Sequence, residues 1–229
     1  MQLIQQTWDL FKKEILLEWR SKYAFNGVLL YVVSTVFVCY ISFSLSAGFV
    51  NSNSANYRIT WNVLFWIIIL FASVNAITKS FVQESRGRLL YYYSIASPQA
   101  IILSKTIYNI LLMSLLTVLA LIVYLVFFPN TLGDPLFYFL SVLLGSISFS
   151  TVFTMISAIA SKAGNNGTLM AILSFPVIIP VILLLIKISK NAMDGLERSL
   201  NYGNIGVLCA INVIVIATSL LLFPFLWRD

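Results

Sequence analysis

The chain has 229 residues, of which 60% are hydrophobic and 10% charged, with a net charge of +6 and a mean hydropathy of +0.94. These values exclude a soluble globular domain, so the positive charge reads as membrane topology and contact with anionic lipid, with no nucleic-acid partner expected. The chain has no histidine, which excludes His-metal sites, Ser-His-Asp and Cys-His nucleophile systems, and histidine ligation of haem. It also has no G-x-x-x-x-G-K-[ST] run and therefore no P-loop of its own.

Residues 1–23 mix charged and aromatic side chains, without the short basic region and apolar run of a cleavable signal peptide. Within them Ile4, Trp8, Phe11, Ile15 and Trp19 recur at spacings of three and four, with Lys12, Lys13 and Arg20 off that stripe. The pattern predicts an amphipathic interfacial helix lying on the membrane surface, acting as an anchor or as a brace for a partner subunit.

Uncharged gaps then run from Tyr23 to Tyr57, Ile59 to Thr78, Thr106 to Gly133, Pro135 to Ser161, Ala163 to Ile186 and Ser199 to Trp227. A crossing helix needs about 20 mostly apolar residues. Six spans follow, at 25–47, 60–79, 106–128, 136–160, 169–187 and 205–226. With the N-terminus in the cytoplasm, that side holds Lys12, Lys13, Arg20, Lys22, Lys79, Arg86, Arg88, Lys105, Lys162 and Arg228, against Arg58, Lys187, Lys190 and Arg198 on the other. This bias predicts a multi-pass membrane protein with both termini cytoplasmic.

Polar groups inside the spans are mild. No span carries Asp or Glu in its interior, where proton relays and many ion-coupled carriers place one. Cys39 and Cys209 form no CxxC and read as packed free thiols. Asn75, Asn109 and Asn212 fit interhelical hydrogen bonds better than a pathway lining. In the fourth span Ser146, Ser150, Thr154 and Ala158 stand four apart and offer a narrow face for a neighbouring helix. Pro176 and Pro180, one turn apart in the fifth, each remove a backbone hydrogen bond and predict a kink or break, a hinge or simply a shape. Asp134-Pro135 predicts a tight external turn, and residues 187–204, with Gly195 and Gly203, a short interfacial or re-entrant piece on the external face.

The stretch FVQESRGRLLYYYSIASPQAIILSK, residues 81–105, interrupts the apolar pattern after the second span. Glu84, Arg86 and Arg88 are solvated, Gly87 loosens the chain, and Leu89 to Ile95 is too short and too polar to cross. Pro98 permits a change of direction, with a new helix starting near Gln99. The result is either an exposed elbow able to dock into another protein's groove or a solvated loop anchored by tyrosines at the headgroups.

Phe81-x-x-Glu84-x-x-Gly87-x-Leu89, followed by Ser97-Pro98 and Ser104-Lys105, resembles the cytoplasmic segment after the second span of ABC-2-like permeases. More narrowly it resembles the haem exporter B family (CcmB), the permease subunit of the cytochrome c maturation system. Phe175-Pro176-x-x-Ile179-Pro180, the length and the six spans extend the likeness over nearly the whole chain, while Tyr91 to Tyr93 stand where an acidic residue is more usual. The resemblance implies an all-α, polytopic membrane protein: one transmembrane permease domain over 1–229, with the interfacial helix at 1–23 and a cytoplasmic coupling elbow at 81–104 between spans two and three. Glu84, Arg86, Gly87, Arg88, Leu89, Leu90 and Pro98 would couple to an ATPase, and Pro176 and Pro180 would form a helix hinge. Implied partners are an ABC ATPase that binds the ATP, other haem-handling membrane subunits, a periplasmic haem chaperone and the lipid bilayer, with a homodimer of the permease left open. No cofactor is expected in this chain and haem is its implied cargo. Without histidine only Met, Tyr or Cys could ligate haem iron axially, which favours coupling ATP hydrolysis to release of the haem-loaded chaperone over carriage of haem. A generic ABC-2 exporter of lipid, drug or glycan, or a non-transporting scaffold, remain the alternatives.

Overall fold

A computed structural model describes residues 2–21, 23–44, 55–82, 96–128, 132–162 and 166–228. Among these residues the regular elements are all helical: α1 (Gln2–Ser21), α2 (Tyr23–Ser44), α3 (Ala55–Val82), α4 (Pro98–Phe127), α5 (Pro135–Lys162), α6 (Asn166–Met193) and α7 (Tyr202–Arg228), with a 3₁₀ turn, Arg198–Asn201, leading into α7. Helices α2 to α7 are long and apolar enough to cross a bilayer, the six expected from the charge-free gaps. In hydrocarbon every backbone N–H and C=O must find its partner within the segment, which leaves the helix as the stable choice for such runs.

The helices overrun several predicted boundaries. Helix α4 has 30 residues, about 45 Å at 1.5 Å per residue, against a hydrocarbon core of about 30 Å. Its extra turns lie at the start, where Ser97 is the N-cap and Pro98 the first helical residue; the Ser97 hydroxyl accepts from the Ala100 amide at 3.4 Å. Helix α5 starts similarly, with the Asp134 carboxylate accepting from the Phe137 N–H at 3.0 Å and Pro135 in the first turn. Helix α6 ends where Gly195 takes φ of 66°, with its N–H donating to the Ala192 carbonyl and the Leu196 N–H to the Asn191 carbonyl, the pairing a left-handed residue permits. The break considered at Pro176 and Pro180 does not occur: α6 runs through both, and both prolines are exposed.

Helix α5 is the hub, packing against α3, α4, α6 and α7 and the most enclosed of the six spans; α2 is the outermost. Trp61, Phe65, Trp66, Tyr124, Tyr138, Phe149 and Phe153 are enclosed between these helices. The indole N–H of Trp61 donates to the Phe128 carbonyl at 3.0 Å, and the Tyr124 hydroxyl donates to the Trp61 carbonyl at 3.0 Å. An even number of spans brings the two chain ends to one end of the bundle, called here the near end. The described turns after α4 and α6 lie at the opposite, far end.

Candidate functional site

Of the residues expected to couple to an ATPase, Glu84, Arg86, Gly87, Arg88, Leu89 and Leu90 lie outside the described residues. Pro98 is described, and the helix it opens is where the near end becomes informative. Helix α1 packs along the start of α4. The side-chain oxygen of Gln6 accepts from the Ser97 N–H at 3.3 Å and from its hydroxyl at 3.1 Å. Glu14 pairs with Lys105 at 3.5 Å and with Lys13 at 2.9 Å. Glu18 accepts from the Tyr108 hydroxyl at 3.4 Å and from the backbone N–H of Phe25, in the first turn of α2, at 2.8 Å.

Each partner on α4 lies 90 or 91 positions along the chain from its partner on α1. The two helices therefore run parallel and in step over about three turns. Lys105 retains only 2% of its surface, and an ammonium so enclosed is tolerable only beside a carboxylate. Burial alone would raise the Glu14 carboxyl, but Lys105 and Lys13 outweigh it and hold the group below its ordinary value. The expected apolar stripe of α1 is divided: Phe11 is buried and Ile15 half-buried, whereas Ile4, Trp8 and Trp19 are exposed. Gln6, Glu14 and Glu18 instead make the polar contacts with α4, and Thr7 and Phe11 are the buried residues of α1. The acidic pair was missed in the sequence; its signal was two carboxylates one turn apart ahead of a lysine, Lys105, at the mouth of a long apolar run.

At the far end the α4–α5 and α6–α7 turns are locked together. Arg198 donates to both Asp134 carboxylate oxygens, at 2.7 and 3.1 Å, and its guanidinium lies 5.9 Å from the centre of the Phe137 ring. These donors, Arg198 first and then the Phe137 N–H, hold the half-buried Asp134 carboxyl below the usual range. Beneath it Gly133 and Gly195 meet so closely that a Cβ on Gly133 would stand 2.5 Å from the Gly195 nitrogen. The Gly133 and Asp134 N–H groups donate to the Met193 and Ala192 carbonyls at 3.0 and 2.9 Å. Arg58 donates to the Met193 carbonyl and pairs with Asp194 at 3.3 Å, and Asn191 donates to Asn201 at 2.8 Å.

Between the two ends, the polar side chains hold helices together. The stripe expected on α5 faces α4: Ser146 meets Ser114 at 2.9 Å, Ser150 donates to the Asn109 carbonyl at 3.1 Å, and the Asn109 amide nitrogen donates to Thr154 at 2.9 Å. Asn212 joins α7 to α5, donating to Ser148 at 2.9 Å and accepting from Thr151 at 3.1 Å. Asn75 departs from this expectation. It is exposed and donates at 3.0 Å to Phe71 of its own helix, since its face of α3 has no helix against it among the described residues. Asn62 makes the third interhelical junction instead, donating to the Ile186 carbonyl at 3.0 Å and accepting from Ser189 at 2.9 Å. A cleft lined by Thr106, Thr151 and Ser219 with Ile102, Ile216 and Leu220 has a volume of about 10 Å³, room for about one water. Cys39 and Cys209 are free thiols, Cys39 half-buried and Cys209 exposed.

Six apolar helices packed about one of their number, α5, and closed at one end by locked turns, define a multi-pass membrane protein. A family model described as CcmB protein matches residues 5–227. The chain thus belongs to the CcmB family, the haem exporter protein B family, and is a membrane component of the haem-export system of cytochrome c maturation. No curated protein and no solved structure matches the chain.

Proposed function

We propose that this chain is the permease subunit that couples ATP hydrolysis in a separate ABC ATPase to release of the haem-loaded periplasmic chaperone, with haem as the cargo of the system. The observation that carries the reading is the continuity of α4. It begins at Ser97-Pro98, inside the 81–104 segment expected to dock the ATPase, and runs unbroken to Phe127, just before the far-end lock built on Gly133 and Asp134. A helix of about 45 Å tied at both ends is suited to carry a displacement across a membrane. The polar side chains of α4, α5 and α7 spend their hydrogen bonds on one another, which favours mechanical coupling over passage of a large polar cargo between them.

In this reading the near end is cytoplasmic, in the inner membrane, as the distribution of Lys and Arg favours. Glu84, Arg86, Gly87, Arg88, Leu89, Leu90 and Pro98 form the ATPase contact, other haem-handling subunits lie alongside, and the far-end lock faces the chaperone. Pro176 and Pro180, on the exposed side of α6, are its hinge.

The test is copurification of the ATPase with the chain. Leu89→Asp places an unpaired charge in an apolar contact and should weaken association by about 3 kcal/mol, roughly a hundredfold, with normal amounts of inserted chain. The chain alone should hydrolyse no ATP. Leu89→Asp and Gly87→Trp proteins that still bind and stimulate the ATPase would refute the coupling role, as would robust hydrolysis by the isolated chain.

A further inference from the structure

Helix α1 is held by more than an anchor needs. Apolar side chains suffice to keep an interfacial helix on a membrane, and Ile4, Trp8 and Trp19, all exposed, are available for that. The opposite side nevertheless carries three polar junctions in register with α4: Gln6 to Ser97, Glu14 to Lys105 and Glu18 to Tyr108. The first junction sits on the N-cap of α4, Ser97, within the docking segment and beside Pro98. The last is shared, because the two oxygens of Glu18 are divided between Tyr108 of α4 and the Phe25 N–H of α2. Helix α2 is the span with the least buried surface and so the one that moves with the fewest contacts broken.

We propose that α1 is a strut rather than an anchor: Glu14 and Glu18 are positioning residues that make α1 move with the first three turns of α4 and pass that displacement to the start of α2. This inference rests on the coupling function above and assigns the route by which the ATPase stroke reaches the outermost span. The charge pair carries the push, since drawing the enclosed Lys105 ammonium away from the Glu14 carboxylate forfeits their attraction at a site with little water to replace it. Gln6 fixes the register at one end and Glu18 distributes the load at the other.

The experiment uses the chain in complex with its ATPase and reads two quantities, ATPase retained on purification and ATP turnover of the complex. Glu14→Lys should keep the ATPase bound but lower coupled turnover by on the order of tenfold, and Lys105→Glu should do the same. The double substitution Glu14→Lys with Lys105→Glu restores the pair in reverse and should return turnover to within about threefold of the wild type, which a purely steric role for either side chain would not allow. Unchanged turnover in Glu14→Lys, or a double variant no better than the worse single, overturns the strut while leaving the coupling function standing; loss of ATPase binding by the wild-type chain sinks both. Should the single variants fail to insert, a second arm decides. In a background without Cys39 and Cys209, Gln6→Cys with Ser97→Cys is joined by a short bismaleimide. A strut that travels with α4 tolerates the bridge and keeps its turnover, whereas arrest on cross-linking refutes it.

Discussion

Gly145→Ala tests whether α5 is the hub on which α3 and α6 close. A Cβ at this position would overlap Cη2 of Trp66, stand 2.5 Å from its Cζ3 and lie 3.2 Å from Cδ2 of Leu185. The indole cannot yield. It is fully buried, its N–H donates to the Ser189 hydroxyl at 2.8 Å, and Phe149 and Phe65 pack edge-on to it with ring centres 6.0 and 5.7 Å away. Overpacking of this kind costs about 1–3 kcal/mol, and tilting the indole off Ser189 adds about 1 kcal/mol. A loss of about 2–4 kcal/mol lowers the melting temperature by roughly 5–15 °C for a chain of this size. Thermal melting of the detergent-solubilised protein, followed by size-exclusion chromatography, reads it. Trp66→Phe removes the two clashing ring atoms, so combining it with Gly145→Ala should be less harmful than the sum of the singles by about 1–2 kcal/mol. A Gly145→Ala protein melting within about 2 °C of the wild type, or strict additivity in the pair, would refute the packing argument.

The α4–α5 seam makes an asymmetric prediction, because Asn109 has one amide atom bonded to Thr154 and its oxygen without a partner among the described residues. Thr154→Val strands the amide nitrogen as well and should cost about 1–2 kcal/mol, whereas Asn109→Leu removes the whole amide and should cost less than about 1 kcal/mol; the same melts rank the two, and the reverse order would be wrong for this seam. Topology is checked by single cysteines at two exposed positions, Gln99 at the near end and Ser199 at the far end, in a background without Cys39 and Cys209: an impermeant thiol reagent should label only Ser199→Cys on intact spheroplasts. The α1 clamp should be indifferent to pH over the neutral range. The Glu14 carboxyl is held below its ordinary 4.5, so the stabilisation is fully present above that value and is lost only as the pH falls through the lowered one. Protease cleavage within α1 should therefore stay flat from about pH 8 to pH 5 and rise below that, and a rise already near pH 6 would contradict the assignment.

The charge-free gaps alone counted the six spans, because crossing hydrocarbon requires a length of uncharged chain and a self-satisfied backbone, both local properties. The stripe Ser146, Ser150, Thr154 and Ala158, spaced four apart, also told its face correctly, since close approach of two helices needs small side chains in a row. Partners were beyond the sequence. In a span apolar on every side, periodicity does not distinguish a lipid-facing side from a protein-facing one, and three asparagines that look alike divided into two interhelical junctions at Asn109 and Asn212 and one exposed amide at Asn75. Helix α1 shows the same limit most sharply. Its tryptophans suggested which side belonged to the membrane, yet only tertiary structure decided that Glu14 and Glu18 turn inward, because the energy of a buried carboxylate is set by the ammonium that meets it in space, and Lys105 lies far along the chain, on another helix.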